Sequence, residues 1–147
     1  MRIWVDADAC PGLIRDVVVR AAERCAVEAI FVANRTTRLP PSAYVKAVQV
    51  EQGFDVADTR IAESCRLGDL VITADIPLAA RVVEAGAIAL NPRGTLYTHA
   101  NIRELLSERD FMEGLRSAGL ASGGPPALSK SDVQAFARQL DRFLARR

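Results

Sequence analysis

At 147 residues the chain has the usual length of one domain and enough apolar sequence to bury a sizeable core. Half of it is hydrophobic, and its 19 basic residues nearly cancel its 18 acidic ones, so the net charge of +1 predicts no global attraction to nucleic acid or to an anionic membrane. Three scattered cysteines without a C-x-x-C pair argue against a disulfide framework or a structural zinc site, and the apolar runs are too short to span a bilayer, which makes a reducing cytoplasm the expected compartment.

The N-terminus opens on a strand rather than a signal peptide: residues 3–5 are a buried run that ends in Asp6. Pro11 then starts a helix that the spacing of Leu13, Ile14, Val17, Val18, Ala21, Ala22 and Cys25 carries to about residue 25. Residues 29–33 predict a second buried strand, ended by Asn34, and residues 45–50 a third after a polar loop containing Pro40 and Pro41. Asp58 stands in the first turn of the next helix. A turn at Gly68 and Asp69 leads into a fourth strand over 70–74, and Pro77 opens a helix with Leu78, Ala79, Val82 and Val83 inward. A fifth strand over 87–90 closes on the turn Asn91-Pro-Arg-Gly94. Helix follows between 102 and 117. A Gly/Pro loop over 122–128 precedes a last helix, whose start at Ser129-Lys-Ser-Asp132 has the form of a capping box.

Strands alternating with helices predict a three-layer α/β/α domain over residues 1–147, with a mostly parallel sheet of about five strands and C-terminal helices docked on it. In such sheets ligands bind beyond the carboxyl ends of the strands. Asp6 and Asp8 lie just past the first strand and Asp75 just past the fourth, while Asp58 opens a helix that leaves the same rim. One aspartate after a strand is ordinarily a turn or cap residue. Four at one rim repel one another unless a cation or a proton intervenes. Hard oxygen donors select Mg²⁺ or Mn²⁺, so Asp6, Asp8, Asp58 and Asp75 are the candidate metal ligands and catalytic residues. Asn34, Arg35, Arg38, Thr73 and Arg93 share that rim and are the candidate phosphate-holding groups. Asp69 belongs to the opposite rim and reads as a turn residue, Asp55 is open, Cys10 reads as packing, and His99 alone carries no catalytic argument.

Val5-Asp-Ala-Asp-Ala-Cys-Pro11, the run Gly68 to Ala79, Asn91-Pro-Arg-Gly94 with Tyr97 and Thr98, and Gly-Gly-Pro before the final helix together resemble the bacterial YaiI/YqxD family over nearly the whole chain. That family in turn is similar to PIN-like domains, in which one acid follows the first strand, one opens a later helix, and one ends a T-x-D strand. Asp6, Asp58 and Asp75 match these positions, Asp8 is an additional acid, and no counterpart is assigned to the central glutamate of many PIN domains. The resemblance implies a metal-dependent phosphodiesterase or nuclease acting on RNA or nucleotides. Two alternatives stand beside it. One is a haloacid-dehalogenase-like phosphatase, with Asp6 as nucleophile and Asp8 as general acid, although the only lysines, Lys46 and Lys130, do not suit that site. The other is a non-catalytic metal- or RNA-binding protein. No membrane partner is expected, and the oligomeric state is open.

Overall fold

In a computed structural model that describes residues 1–120 and 126–146, the chain alternates strands and helices as the apolar periodicity requires. The elements are β1 (Arg2–Asp6), α1 (Gly12–Cys25), β2 (Glu28–Ala33), β3 (Val45–Gln49), α2 (Val56–Ser64), β4 (Leu70–Ile72), α3 (Ile76–Glu84), β5 (Ile88–Leu90), β6 (Leu96–Tyr97), α4 (Ile102–Ser117) and α5 (Lys130–Ala145). One sheet runs β3-β2-β1-β4-β5-β6. Every pairing is parallel except β5–β6, which is antiparallel. The sheet therefore has six strands where five were expected. The extra one is a two-residue hairpin arm, too short to show any periodicity.

Most of the sheet is buried on both faces, which is why its strands read as unbroken apolar runs. Ile3, Val5, Ala29 and Phe31 face a core shared with Ile14 and Val18 of α1 and with Phe136, Leu140 and Leu144 of α5. Trp4, Ile30, Val32 and Val71 face the other core, with Ile61 of α2, Leu78 and Val82 of α3 and Ile102 of α4. The helix after β1 thus covers one face and the helix after β4 covers the other. Right-handed crossovers produce this arrangement when the chain first steps from β1 to β2 and later returns past β1 to β4. The segments that follow these two neighbouring strands then leave toward opposite faces, the arrangement that in open α/β sheets opens a ligand crevice beyond the carboxyl ends of the strands.

The final helix is seated by specific contacts as well as by its apolar stripe. Ser129 accepts from the Asp132 amide at 3.1 Å and Asp132 accepts from the Ser129 amide at 3.0 Å, a complete capping box. Gly94 packs so closely on this helix that a Cβ would lie 2.8 Å from both the carbonyl carbon and the Cβ of Ala135, and its φ of +95° also suits glycine. The Gly/Pro break expected over 122–128 lies outside the described residues as far as 125. Among the described residues no helix is long and apolar enough to cross a membrane.

At the amino rim Asp69 ties the two central strands together. It is 5% exposed. Its carboxylate accepts from the Arg2 amide at 3.0 Å, the Trp4 indole at 3.1 Å and the Arg66 amide at 2.9 Å. The turn reading is correct as far as the Arg66 bond goes, but the carboxylate also fixes the start of β1 beside the start of β4. Asp69→Ala leaves three donors without their acceptor and is expected to cost about 3 kcal/mol in urea unfolding, whereas Asp69→Asn keeps one acceptor oxygen and costs less.

Candidate active site at the carboxyl rim

Alternation along β1 turns Asp6 to the same face as Trp4, toward α2 and α3. Alternation along β4 turns Thr73 to that face as well. The Thr73 hydroxyl donates to Asp6 Oδ2 at 3.0 Å and accepts from the Asp75 amide at 2.9 Å. Asp6 is 8% exposed and Thr73 only 1%. Thr73, expected to bind phosphate, is therefore a buried positioning group whose donor and acceptor are both engaged within the protein.

Asp75 is the N-cap of α3, with Oδ1 accepting from the Leu78 amide at 3.0 Å. The cap reading and the site reading hold together, because this bond leaves the second carboxylate oxygen available. Asp58 enters from the first turn of α2 and comes within hydrogen-bonding reach of the carboxyls of Asp75 and Asp55. Burial, then the charges of Asp75 and Asp6, then those carboxyl contacts raise the Asp58 pKa from 3.8 to about 7. Asp6 is raised as well, chiefly by burial and further by the charges of Asp75 and Asp8, against the lowering effect of the Thr73 hydrogen bond.

Asp8 stands apart from these three. It sits in a short 3₁₀ turn over Ala7–Ala9, accepts from the Asn34 amide at 2.8 Å and lies 3.9 Å from the Arg35 guanidinium. These partners anchor the segment after β2. Lys46 lies near the amino end of β3 and pairs with Glu28 at 3.6 Å, far from where a phosphatase lysine would act.

Other sequence expectations are relocated. Arg93 is bound to Asp132 at 2.8 Å and to the Pro126 carbonyl, so it fastens α5 instead of facing the crevice. His99 is exposed and lies beside Gly86, Ala87 and Leu96, at the opposite rim. Burial pushes the Cys10 thiol up to about 12, in keeping with a packing role. A largely apolar recess lined by Met1, Gly68, Ile88, Phe143 and Arg146 also lies at that opposite rim.

Two features were not legible in the sequence. Asp55 adopts a left-handed backbone at φ 68°, and its carboxylate pairs with Arg81 of α3 at 3.6 Å. Tyr97 is buried, its hydroxyl accepts from Asn91 at 2.8 Å, and its pKa is raised by burial and then by the charge of Asp75. Neither was read from the sequence: Arg81 sits on the neighbouring helix, 26 residues beyond Asp55, and the two-residue strand that buries Tyr97 shows no period.

The acids are thus sorted by their counterions. Asp55 and Asp8 have arginines, whereas Asp6, Asp58 and Asp75 form no ion pair among the described residues. As placed, no three His, Cys, Asp or Glu side chains among the described residues form a ready metal cage. The donor chemistry nonetheless fits a hard cation: oxygen ligands only, two carboxyls in contact, and negative charge that no basic side chain offsets.

A family model described as an uncharacterized BCR of the YaiI/YqxD family matches residues 4–146. A UPF0178 protein of Dechloromonas aromatica (strain RCB) is 62% identical over 146 residues, covering 99% of this chain and 97% of that protein. Similar proteins of the same name occur in Halorhodospira halophila (strain DSM 244 / SL1), 60% identical over 100% of this chain and 97% of its own length, and in Shewanella piezotolerans (strain WP3 / JCM 13877), 55% identical over 99% and 96%. No solved structure matches the chain.

The raised Asp58 pKa has a definite sign in stability. The folded state holds this proton more tightly than the unfolded chain, whose pKa is near 3.8, so the contribution is complete below that value and is lost as pH rises through about 7. In metal-free buffer, Asp58→Asn is expected to melt a few degrees above the unsubstituted protein at pH 8 and close to it at pH 4. Identical pH profiles for the two proteins in scanning calorimetry would contradict the raised Asp58 pKa.

Proposed function

We propose that this chain, which belongs to the YaiI/YqxD family, is a PIN-like, divalent-metal-dependent phosphodiesterase that acts on RNA or nucleotides in the crevice between β1 and β4. The observation that carries this reading is that Asp6, Asp58 and Asp75, from three separate elements, act on one another through their charges and form no ion pair among the described residues, with Asp58 raised to about 7. The crevice is also where the strand order reverses around β1, the usual ligand position in an open α/β sheet.

Asp6, Asp58 and Asp75 would hold Mg²⁺ or Mn²⁺. Such an ion, when bound, neutralises phosphate charge and lowers the pKa of a coordinated water. The chain's own contribution is positional. Thr73 holds the Asp6 carboxylate and the Asp75 backbone in one register, and the Leu78 amide fixes one oxygen of Asp75. In the metal-free protein Asp58 keeps a proton to about pH 7, and it would give that proton up on binding a cation. Asp8 serves as the anchor of the adjoining segment instead of a fourth ligand. Placement in the cytoplasm belongs to the same proposal and rests on the cysteine pattern.

With Mn²⁺ at a hundred times its dissociation constant, the folded protein gains about 2.7 kcal/mol and its melting temperature rises by several degrees. Asp6→Asn and Asp75→Asn should abolish that rise while still folding, since each amide retains an acceptor oxygen for Thr73 or Leu78. The same variants should lose Mn²⁺-dependent, EDTA-sensitive cleavage of labelled single-stranded RNA. If neither Mg²⁺ nor Mn²⁺ moves the melting temperature at pH 7.5, the metal reading fails.

A further inference from the structure

Two of the arginines expected to hold phosphate have carboxylate neighbours: Arg93 pairs with Asp132, and Arg35 stands beside Asp8. The third, Arg38, and two arginines that carried no such expectation, Arg15 and Arg20, form no ion pair among the described residues. Arg15, Arg20 and Arg38 line one recess of about 250 Å³ between α1 and the segment that follows β2. Val19 and Leu39 form its apolar part, and Asp16, which is exposed and unpaired among the described residues, is its one acid. Of the basic side chains in the whole chain only Lys46 and Lys130 are lysines. The recess therefore has guanidinium groups, which are weakly hydrated and present a planar fork that suits phosphate oxygens.

Its position relative to the acids follows from the chain path. α1 begins six residues after Asp6, so its first turn lies at the carboxyl rim. The Arg15 guanidinium folds back toward that end: its Nη2 lies 3.6 Å from where a Cβ on Gly12 would be. Both Arg15 and Asp6 are close enough to Cys10 for their charges to act on its thiol. On the other wall, Leu39 packs into the α1-side core, and the rim end of the same segment is tied to Asp8 through the Asn34 amide. Asp8 is thus the joint between the acidic crevice and the basic recess.

Arg15 and Arg20 are five residues apart, about 7.5 Å along the helix axis. With Arg38 on the facing wall, the cations are spread along the recess instead of converging on a point. A single tetrahedral anion meets one or two of them, whereas a chain of phosphates meets all three.

We propose that this recess seats the backbone phosphates of a single-stranded nucleic acid that runs out of the crevice between β1 and β4, past Cys10, onto α1. The assignment rests on the reading of the crevice as the place of phosphodiester cleavage and extends it to a strand substrate bound outside the reacting phosphate.

The test is binding of a fluorescein-labelled ten-residue oligouridylate to the full chain, followed by anisotropy in EDTA so that no cleavage occurs. The variant Arg15→Gln/Arg20→Gln/Arg38→Gln should bind at least tenfold more weakly at low salt. It should also flatten the dependence of log affinity on log salt by about 2, at roughly 0.7 per phosphate contact. Arg66→Gln/Arg103→Gln/Arg116→Gln removes the same charge from exposed positions elsewhere and should bind as the unsubstituted protein does. Uridine monophosphate should compete poorly at equal phosphate concentration. The assignment is overturned if the unsubstituted protein does not bind, if the recess variant binds within twofold of it, if the control variant loses as much, or if the mononucleotide competes equally. Melting curves confirm that each variant is folded. Because no metal is present, recess binding that survives a flat Mn²⁺ melting response removes the cleavage reading alone, whereas a Mn²⁺ shift without recess binding removes the strand assignment alone.

Discussion

One threonine hydroxyl holds the carboxyl rim together. Thr73 donates to Asp6 from the end of β1 and accepts from the backbone at Asp75, two residues further along its own chain. The two bonds engage both the donor and an acceptor position of a side chain that is 1% exposed, so the geometry has little freedom. They also join two strands that are 67 residues apart in sequence at the point where their following helices depart to opposite faces. At the other end of the same strands Asp69 makes the corresponding clamp. The pair β1–β4 is thus fastened at both rims by polar side chains, and its apolar middle packs on both faces.

Rigid placement explains why carboxylates can be crowded here at all. Flexible acids at a surface separate and hydrate. Asp6 cannot move away because Thr73 holds it, and Asp75 cannot because it caps α3. Asp58, arriving on the first turn of α2, has its pKa raised first by burial and then by the charges of Asp75 and Asp6. The nearby arginines do not offset these charges. Arg81 goes to Asp55 and Arg35 stands beside Asp8. Among the described residues the peripheral acids are thus paired and the central ones are not, and the proposed cation binding rests on that distribution.

How far the sequence could be read depended on the range of the interaction. The buried strands and the helix stripes were legible because each depends on local period alone. So was the capping box at Ser129, which needs only residues three apart. Asp6, Asp58 and Asp75 could be placed at one rim by the rule that helices leave a parallel sheet at the carboxyl ends of its strands. Thr73 was assigned to the right place with the wrong task, because sequence does not show that its hydroxyl is buried. Arg93 failed for a similar reason: its partner Asp132 lies 39 residues away on a helix whose docking site no local pattern predicts. The D-x-D pair looked like a unit, yet the 3₁₀ turn after Asp6 directs Asp8 toward β2. Strand β6 escaped notice because two residues carry no alternation.

The central claim is that the uncompensated charge of Asp6, Asp58 and Asp75 is a cation seat. Crystals soaked in Mn²⁺ and measured at a wavelength where manganese scatters anomalously locate the ion directly. The account predicts an anomalous peak bounded by these three carboxylates, with Asp8 still on the Asn34 amide. No peak there at millimolar Mn²⁺, with Asp58 hydrogen-bonded to Asp75 as a protonated acid, would contradict it.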